Sequence, residues 1–99
     1  MIAFIRTVQT MPGKIGETIA WAKEVVAIAK RGTGKESEIS VSFGGAAGQM
    51  AWMVHYDNAG QVEEAANKLL ADREYLAAIG KASGLFAAGT IHDQMWRRI

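Results

Sequence analysis

The chain has 99 residues, no cysteine and a formal net charge of +1. This length predicts one domain over residues 1–99. The missing cysteines exclude disulfides and thiolate metal sites, and the near-neutral charge argues against nucleic-acid or anionic-membrane partners. We find no signal-peptide pattern and no apolar stretch of about 20 residues, so we expect a cytoplasmic protein with no membrane partner.

The first half of the sequence predicts a strand and then a helix. Residues 2–9 are rich in branched and aromatic side chains, as in strands. Pro12 can open the helix, because a proline in the first turn loses no intrahelical hydrogen bond. Trp21 and Ile28 lie off the apolar stripe of this helix and could pack under a loop or contact a neighbouring chain. The stripe itself consists of Ile15, Ile19, Ala22, Val26 and Ala29.

The third predicted strand, residues 50–56, is the most informative segment because it is largely apolar on both faces. Its even positions are Met50, Trp52, Val54 and Tyr56, and its odd positions are Ala51, Met53 and His55. Residues 38–43 precede it as a second strand of a hairpin. If Phe43 lies opposite Met50, the apolar side of the second strand shares a face with Trp52, and His55 points to the other face. A shift of one residue would exchange these faces, so the register stays open.

Two helical segments and a last strand follow. Asn58 is a good N-cap, and Gln61 completes a capping box. Asp72 interrupts the helical pattern, which resumes over residues 73–83, and residues 90–97 form the last strand. The buried stripe of the second helix is predicted to be Val62, Ala65, Ala66, Leu69 and Leu70.

The element order is βαββαβ, which is typical of an α+β, ferredoxin-like sandwich. Crossovers of the usual hand give a four-stranded antiparallel sheet of order 4-1-3-2 with the helices on one face. The other face would then be an unusually large apolar surface for a monomer. We therefore expect a homodimer that forms through the open face of the sheet.

Three segments resemble the dimeric α/β-barrel superfamily, and the nearest likeness is to the antibiotic-biosynthesis-monooxygenase-like and related uncharacterised branches. The segments are residues 52–59, residues 69–75, and residues 84–86 followed by Gly89 and the last strand. The resemblance implies two sheets packed face to face into a barrel, with ligands bound between the sheet and helices of each subunit. The activities found in that superfamily include cofactor-free oxygenation, haem degradation, lactone isomerisation and dye-type peroxidation.

The residues agree with only part of that chemistry. Haem-binding members carry a histidine on the second helix, but no histidine occurs between Ala59 and Gly89, so we expect no cofactor. Cofactor-free oxygenases present a Trp or Tyr at the end of the third strand, and Tyr56 stands there. Their usual polar partner on the first strand, such as Asn, is replaced here by Arg6 and its neighbours, which weighs against an oxygenase.

Arg6, Trp52 and Tyr56 are the candidate pocket-lining residues. Arg6 interrupts the apolar pattern of the first strand, and a buried arginine needs an anionic partner. That partner could be an acidic side chain or a ligand carboxylate. Trp52 and Tyr56 could equally belong to the core, although a buried tyrosine hydroxyl requires a hydrogen-bond partner.

His55 and His92 are the only histidines and are weaker candidates, for a general base or an interface role. At about 3.3 Å per residue they would lie on the order of 15 Å apart in one subunit. That separation excludes a shared metal site within the subunit, so we expect no metal.

RNA-recognition domains share the βαββαβ order, but here Ala51 and Met53 stand where their stacking aromatics should be, so this class is rejected. The sequence favours a small homodimer that binds an apolar or aromatic molecule between sheet and helices. Such a protein could be a cofactor-independent, monooxygenase-like enzyme. The alternative is a non-catalytic dimerisation or ligand-sensing module. An enzyme needs a cavity with a convergent polar group, whereas a structural dimer would fill that space with side chains.

Overall fold

The computed structural model describes all 99 residues as one four-stranded antiparallel sheet and three helices. The elements are β1 (Ile2–Gln9), α1 (Ile15–Thr33), β2 (Glu38–Val41), β3 (Gln49–Tyr56), α2 (Ala59–Leu70), α3 (Arg73–Gly80) and β4 (His92–Arg97). The strand order β2-β3-β1-β4 is the predicted order read in reverse. The ferredoxin-like α+β prediction is confirmed. None of the three helices combines the length and the apolar character that crossing a membrane requires.

β1 lies in the middle of the sheet and pairs with both β3 and β4. Arg6 is opposite Trp52 on β3 and opposite Asp93 on β4. Residues directly opposed in an antiparallel pair project to the same side of the sheet. All even positions of β1 and β3 therefore face the helices.

The hairpin register left open by the sequence is now defined: Val41, and not Phe43, lies opposite Met50, two residues from the pairing considered above. An even shift keeps every side chain on its predicted face. β2 ends at Val41, and Phe43 lies in the following turn with its side chain fully exposed. The open question about His55 is answered, since it projects away from the helices.

α1 begins later than expected and turns a different side inward. It starts at Ile15, because Pro12 lies in a preceding turn completed by Gly13 at a φ of 78°. Ile15 is exposed, and the buried residues are Thr18, Ala22, Val25 and Ile28. The stripe is rotated because α1 also packs against α3, where Ile28 is buried with Ala78.

Side-chain caps explain where α2 and α3 begin. Asn58 Oδ1 accepts a hydrogen bond from the backbone N–H of Gln61 at 3.0 Å, so the predicted N-cap is confirmed. The reciprocal bond comes from the N–H of Asp57 rather than Asn58, at 2.9 Å to the Gln61 side chain. Asp72 does interrupt the helical pattern, because its carboxylate caps α3 by accepting from the N–H of Tyr75 at 3.0 Å. The last strand starts two residues later than predicted.

The core is divided into three small clusters, and only 13 of the 99 residues are buried. Two of these clusters join a helix to the sheet, through Ala22 of α1 and Ala65 of α2, and the third joins α1 to α3. Of the predicted α2 stripe only Ala65 is buried, and Leu70 is 67% exposed. The three clusters are Val8, Ala22 and Met50; Val25, Ile28 and Ala78; and Val54, Tyr56 and Ala65.

The side of the sheet opposite the helices, here called the open sheet face, has no cover within the chain. Its apolar residues are Ala3, Ile5, Ala51, Met53 and Trp96. Glu38 and Ser40 of β2, together with threonine, glutamine and both histidines, lie between them. The face is thus more mixed than the alternation in residues 50–56 suggested.

Replacing Asn58 with alanine should lower the free energy of unfolding by about 1 kcal/mol, because the first turn of α2 loses its side-chain acceptor. Urea denaturation followed by circular dichroism measures the change. Asn67→Ala, on the exposed side of the same helix, is the matched control and should not destabilise. Equal losses in both variants would contradict the capping role.

Candidate functional site

A cavity of about 490 Å³ lies between the sheet and the helices. Small-molecule sites typically have volumes of about 300–1,000 Å³ and mostly apolar linings, so both its size and its character suit a ligand. The lining is predominantly hydrophobic and includes Phe4, Val8, Val54, Trp21, Val26, Ala29, Val62 and Leu69.

The three residues singled out from the sequence, Arg6, Trp52 and Tyr56, all line this cavity. They occupy even positions of the two central strands, and strand pairing places those positions under the helices. Their convergence is a direct result of strand alternation.

Three aromatic rings form one wall of the cavity. Trp21 of α1 meets Trp52 of β3 and Phe86 edge to face, with ring centroids 6.2 and 5.3 Å away, and Trp52 is 6.2 Å from Phe86. Such geometry is favourable beyond the area it buries. The Trp21 indole N–H donates to the carbonyl of Ala78 at 2.8 Å, which ties α1 to α3. Trp21 therefore packs within its own chain, partly under the loop that carries Phe86.

Arg6 is held by a bidentate ion pair with Asp93. Its Nε and Nη2 atoms donate to the two carboxylate oxygens at 2.7 and 2.8 Å. Both side chains are partly exposed, at 43% and 41%. The structural partner foreseen for Arg6 is thus present, and the same guanidinium also lines the cavity.

The ion pair shifts both ionisations in the direction that keeps the groups charged. The hydrogen bonds from Arg6 hold the pKa of Asp93 below its ordinary value, although partial burial opposes the shift. The hydrogen bonds to Asp93 raise the pKa of Arg6, although burial lowers it in part. The charges of Asp93 and Tyr75 add to the increase.

Tyr56 provides a second polar group inside the cavity. The residue is 8% exposed, and burial raises the pKa of its phenol with no hydrogen bond contributing. The phenol is therefore kept neutral and can donate to a ligand oxygen. The ammonium of Lys35 lies 5.7 Å from the centre of the Tyr56 ring, within range of a cation–π contact.

The two histidines lie outside the cavity. His55 and His92 are exposed on the open sheet face, opposite Ala3 and Thr7 of β1. Those partners are four positions apart, which corresponds to about 13 Å along the strand. No group of three or more His, Cys, Asp or Glu side chains could hold a metal ion. The cavity chemistry therefore depends on other residues.

Tyr75, Lys35 and Phe86 line the cavity but were not singled out as site residues from the sequence. Tyr75 and Phe86 occur in the segments that carried the family resemblance, so their place in that pattern was a usable signal. Lys35 follows the end of α1, and nothing in its local pattern distinguishes it from an ordinary surface lysine.

Part of the cavity lining is in contact with solvent. Leu70 at the end of α2, Ile79 of α3 and Ile91, just before β4, are lining residues that are exposed.

Comparison with solved structures shows close similarity over nearly the whole chain. An uncharacterized NIPSNAP domain protein from Burkholderia xenovorans has a TM-score of 0.87 and 15% identity, over 100% of this chain and 95% of that one. A NIPSNAP family protein from Agrobacterium tumefaciens has a TM-score of 0.87 and 22% identity, over 99% and 92%.

A candidate antibiotic biosynthesis monooxygenase from Nitrosomonas europaea has a TM-score of 0.76 and 11% identity, over 100% of this chain and 99% of that one. What is shared is the fold. At this level the predicted likeness to antibiotic-biosynthesis-monooxygenase-like proteins is confirmed. No protein-family model matches the sequence, and no curated protein matches it either.

Asp93→Asn should lower the free energy of unfolding at pH 7 by less than about 1 kcal/mol, because a partly exposed ion pair is screened by solvent. Since the pKa of Asp93 is lowered in the folded state, its contribution is complete above the unfolded pKa of about 3.9 and is lost as the pH falls through the lowered value. Urea denaturation at several pH values should therefore show the difference between the two proteins shrinking in acid. Glu63→Gln, at an exposed position of α2, is the control and should not show this pattern. A difference that does not depend on pH would contradict the assignment.

Proposed function

We propose that the protein binds an apolar or aromatic small molecule in the cavity between its sheet and helices. One observation carries the proposal: about 490 Å³ between the layers is left unfilled by side chains, and a few polar groups, among them those of Arg6, Lys35 and Tyr56, interrupt a mostly apolar lining. Apolar surface provides the driving force for binding, and the few polar groups fix the orientation of the ligand.

The alternative of a purely structural dimerisation module is less well supported. Such a module would gain stability by closing the helices onto the sheet, because interiors normally pack to high density. Here instead the core is divided around the cavity, with Val54 and Tyr56 in one cluster and Val25 in another. An arrangement that leaves this space unfilled suits ligand binding better than a purely structural role.

The second part of the proposal is a homodimer formed through the open sheet face. Apolar side chains of that face, among them Ile5 and Met53, have no cover within the chain. Packing two such faces together would remove this surface from water and give the face-to-face sheets of a dimeric α/β barrel.

Tyr56 and Arg6 are the cavity residues that bear on catalysis. Tyr56 stands at the end of β3, where cofactor-free oxygenases of similar fold present a Tyr or Trp, and burial keeps its phenol neutral. Its counterpart on β1 is the ion-paired Arg6 rather than a neutral amide. These residues support ligand binding more directly than oxygen chemistry, so ligand sensing and cofactor-independent monooxygenation both remain compatible with the cavity.

Filling the cavity should abolish binding. Ala29→Phe places a large ring on the helical wall of the cavity and should weaken binding of 2-acetylnaphthalene by more than about tenfold, or about 1.4 kcal/mol, as measured by isothermal titration calorimetry. Ala27→Phe makes the same change on the exposed side of α1 and should bind like the natural protein. Failure of the natural protein to bind this probe at its solubility limit, or equal binding by both variants, would count against the cavity as the site.

Introducing a charge on the open sheet face should dissociate the dimer. Met53→Glu would bury two unpaired carboxylates in the interface and weaken association by roughly 100-fold or more. Sedimentation velocity should then show a monomer of 10.7 kDa, whereas the natural protein should sediment at twice that mass. Leu76→Glu, on the exposed side of α3, is the control and should remain dimeric. A natural protein that is monomeric at micromolar concentration would exclude this assembly.

A further inference from the structure

The guanidinium of Arg6 still has unused hydrogen-bond donors although its charge is already matched. A guanidinium has five N–H donors. Asp93 accepts from Nε and Nη2, one bond to each carboxylate oxygen. By this count three N–H groups remain, and Arg6 is a lining residue of the cavity. A ligand that enters the cavity can therefore meet donors at this point.

The same pair offers a reduced net attraction for an anion. Arg6 and Asp93 carry opposite unit charges whose hydrogen-bonded atoms are 2.7–2.8 Å apart. A ligand carboxylate that bonded to the free side of the guanidinium would lie roughly twice as far from the Asp93 carboxylate as from the centre of the guanidinium. Because both energies vary as the inverse of distance, repulsion from Asp93 would cancel about half of the attraction to Arg6.

An uncharged oxygen acceptor has no such difficulty. A ketone, amide or quinone carbonyl needs only a donor, and it gives up far less hydration on entering an apolar cavity than a carboxylate does. Tyr56 supplies a neutral donor in the same cavity, since burial favours the protonated form of its phenol. The ion-paired Arg6 and the phenol of Tyr56 therefore each suit a neutral carbonyl compound.

We propose that Asp93 sets which ligand charge the cavity accepts. Because Asp93 is ion-paired with Arg6, the cavity binds uncharged carbonyl-containing aromatic or apolar molecules in preference to their carboxylate analogues. The inference rests on the ligand-binding function proposed above. It assigns a specificity role to a residue outside the cavity lining, which acts through Arg6.

Lys35 is the other cation of the lining and must be separated from this effect. It lies against the ring of Tyr56, and that residue pairs with Ile2, four positions along β1 from Arg6. A carboxylate could reach Lys35 without meeting Asp93. The comparison of probes is therefore made in the Lys35→Gln background as well as in the natural protein.

The test uses two probes that share one ring system, 2-acetylnaphthalene, which is neutral, and 2-naphthoate, which is ionised at pH 7. Isothermal titration calorimetry should show the natural protein binding the ketone more tightly. Asp93→Asn keeps the shape of the side chain but frees the charge of Arg6, and it should shift the ratio of affinities toward the carboxylate by about tenfold.

The double variant Arg6→Gln, Asp93→Asn separates charge from structural damage. It lacks both charges, so it should prefer the ketone again, as the natural protein does. If Asp93→Asn and the double variant shift the ratio equally, the change is not caused by the freed charge of Arg6 and the inference is wrong.

The remaining outcomes distinguish this inference from the function on which it rests. Binding of the ketone with a ratio that Asp93→Asn leaves unchanged overturns the role of Asp93 and keeps the cavity as a ligand site. Binding of neither probe to any of the folded variants overturns the ligand-binding proposal itself.

Discussion

The antiparallel pairing of β1 with both neighbours is the constraint on which the other features of this protein depend. Because Arg6 lies opposite Trp52 on one side and Asp93 on the other, a single row across the sheet places an aromatic ring, a cation and its counter-ion under the helices. The alternation of strand side chains leaves no freedom in this choice. A shift of one residue in either pairing would send Arg6 and its partners to different faces and dismantle both the ion pair and the polar end of the cavity.

The helical layer explains why the space above this row is not closed. α1 packs against α3 through Ile28 and Ala78, so part of its apolar surface is used within the layer. α2 buries only Ala65, while Val62 and Leu69 line the cavity instead. The chain thereby forgoes burial that would favour folding at about 25 cal/mol per Å² of apolar surface. An apolar ligand would recover part of that surface, and this links the loose packing of the layers to the proposed function.

The features that the sequence predicted depend on the odd–even alternation of side chains along a strand and on hydrogen bonds between residues close in sequence. The even positions of residues 50–56 share one face whatever the register of the hairpin, and Asn58 and Asp72 act through bonds to residues three positions away. The failures concern features set by tertiary packing. The hairpin register depends on a loop with Gly45 and Gly48 at positive φ, which no periodicity reveals. The exposure of Leu70 depends on how closely the helices approach the sheet. The cavity itself is a property of this distance, and its candidate residues were found only because strand alternation placed them together.

The hydrogen bond from the Trp21 indole to the Ala78 carbonyl has a consequence for recognition. It joins α1 to the end of α3 with a rigid, planar side chain whose ring is also held by Trp52 and Phe86. These contacts within the protein fix the distance between the helices and the sheet. When a ligand binds in a preorganised cavity of this kind, the protein loses little conformational entropy. On the proposed function, a cavity held in this way would discriminate between ligands by shape and polarity.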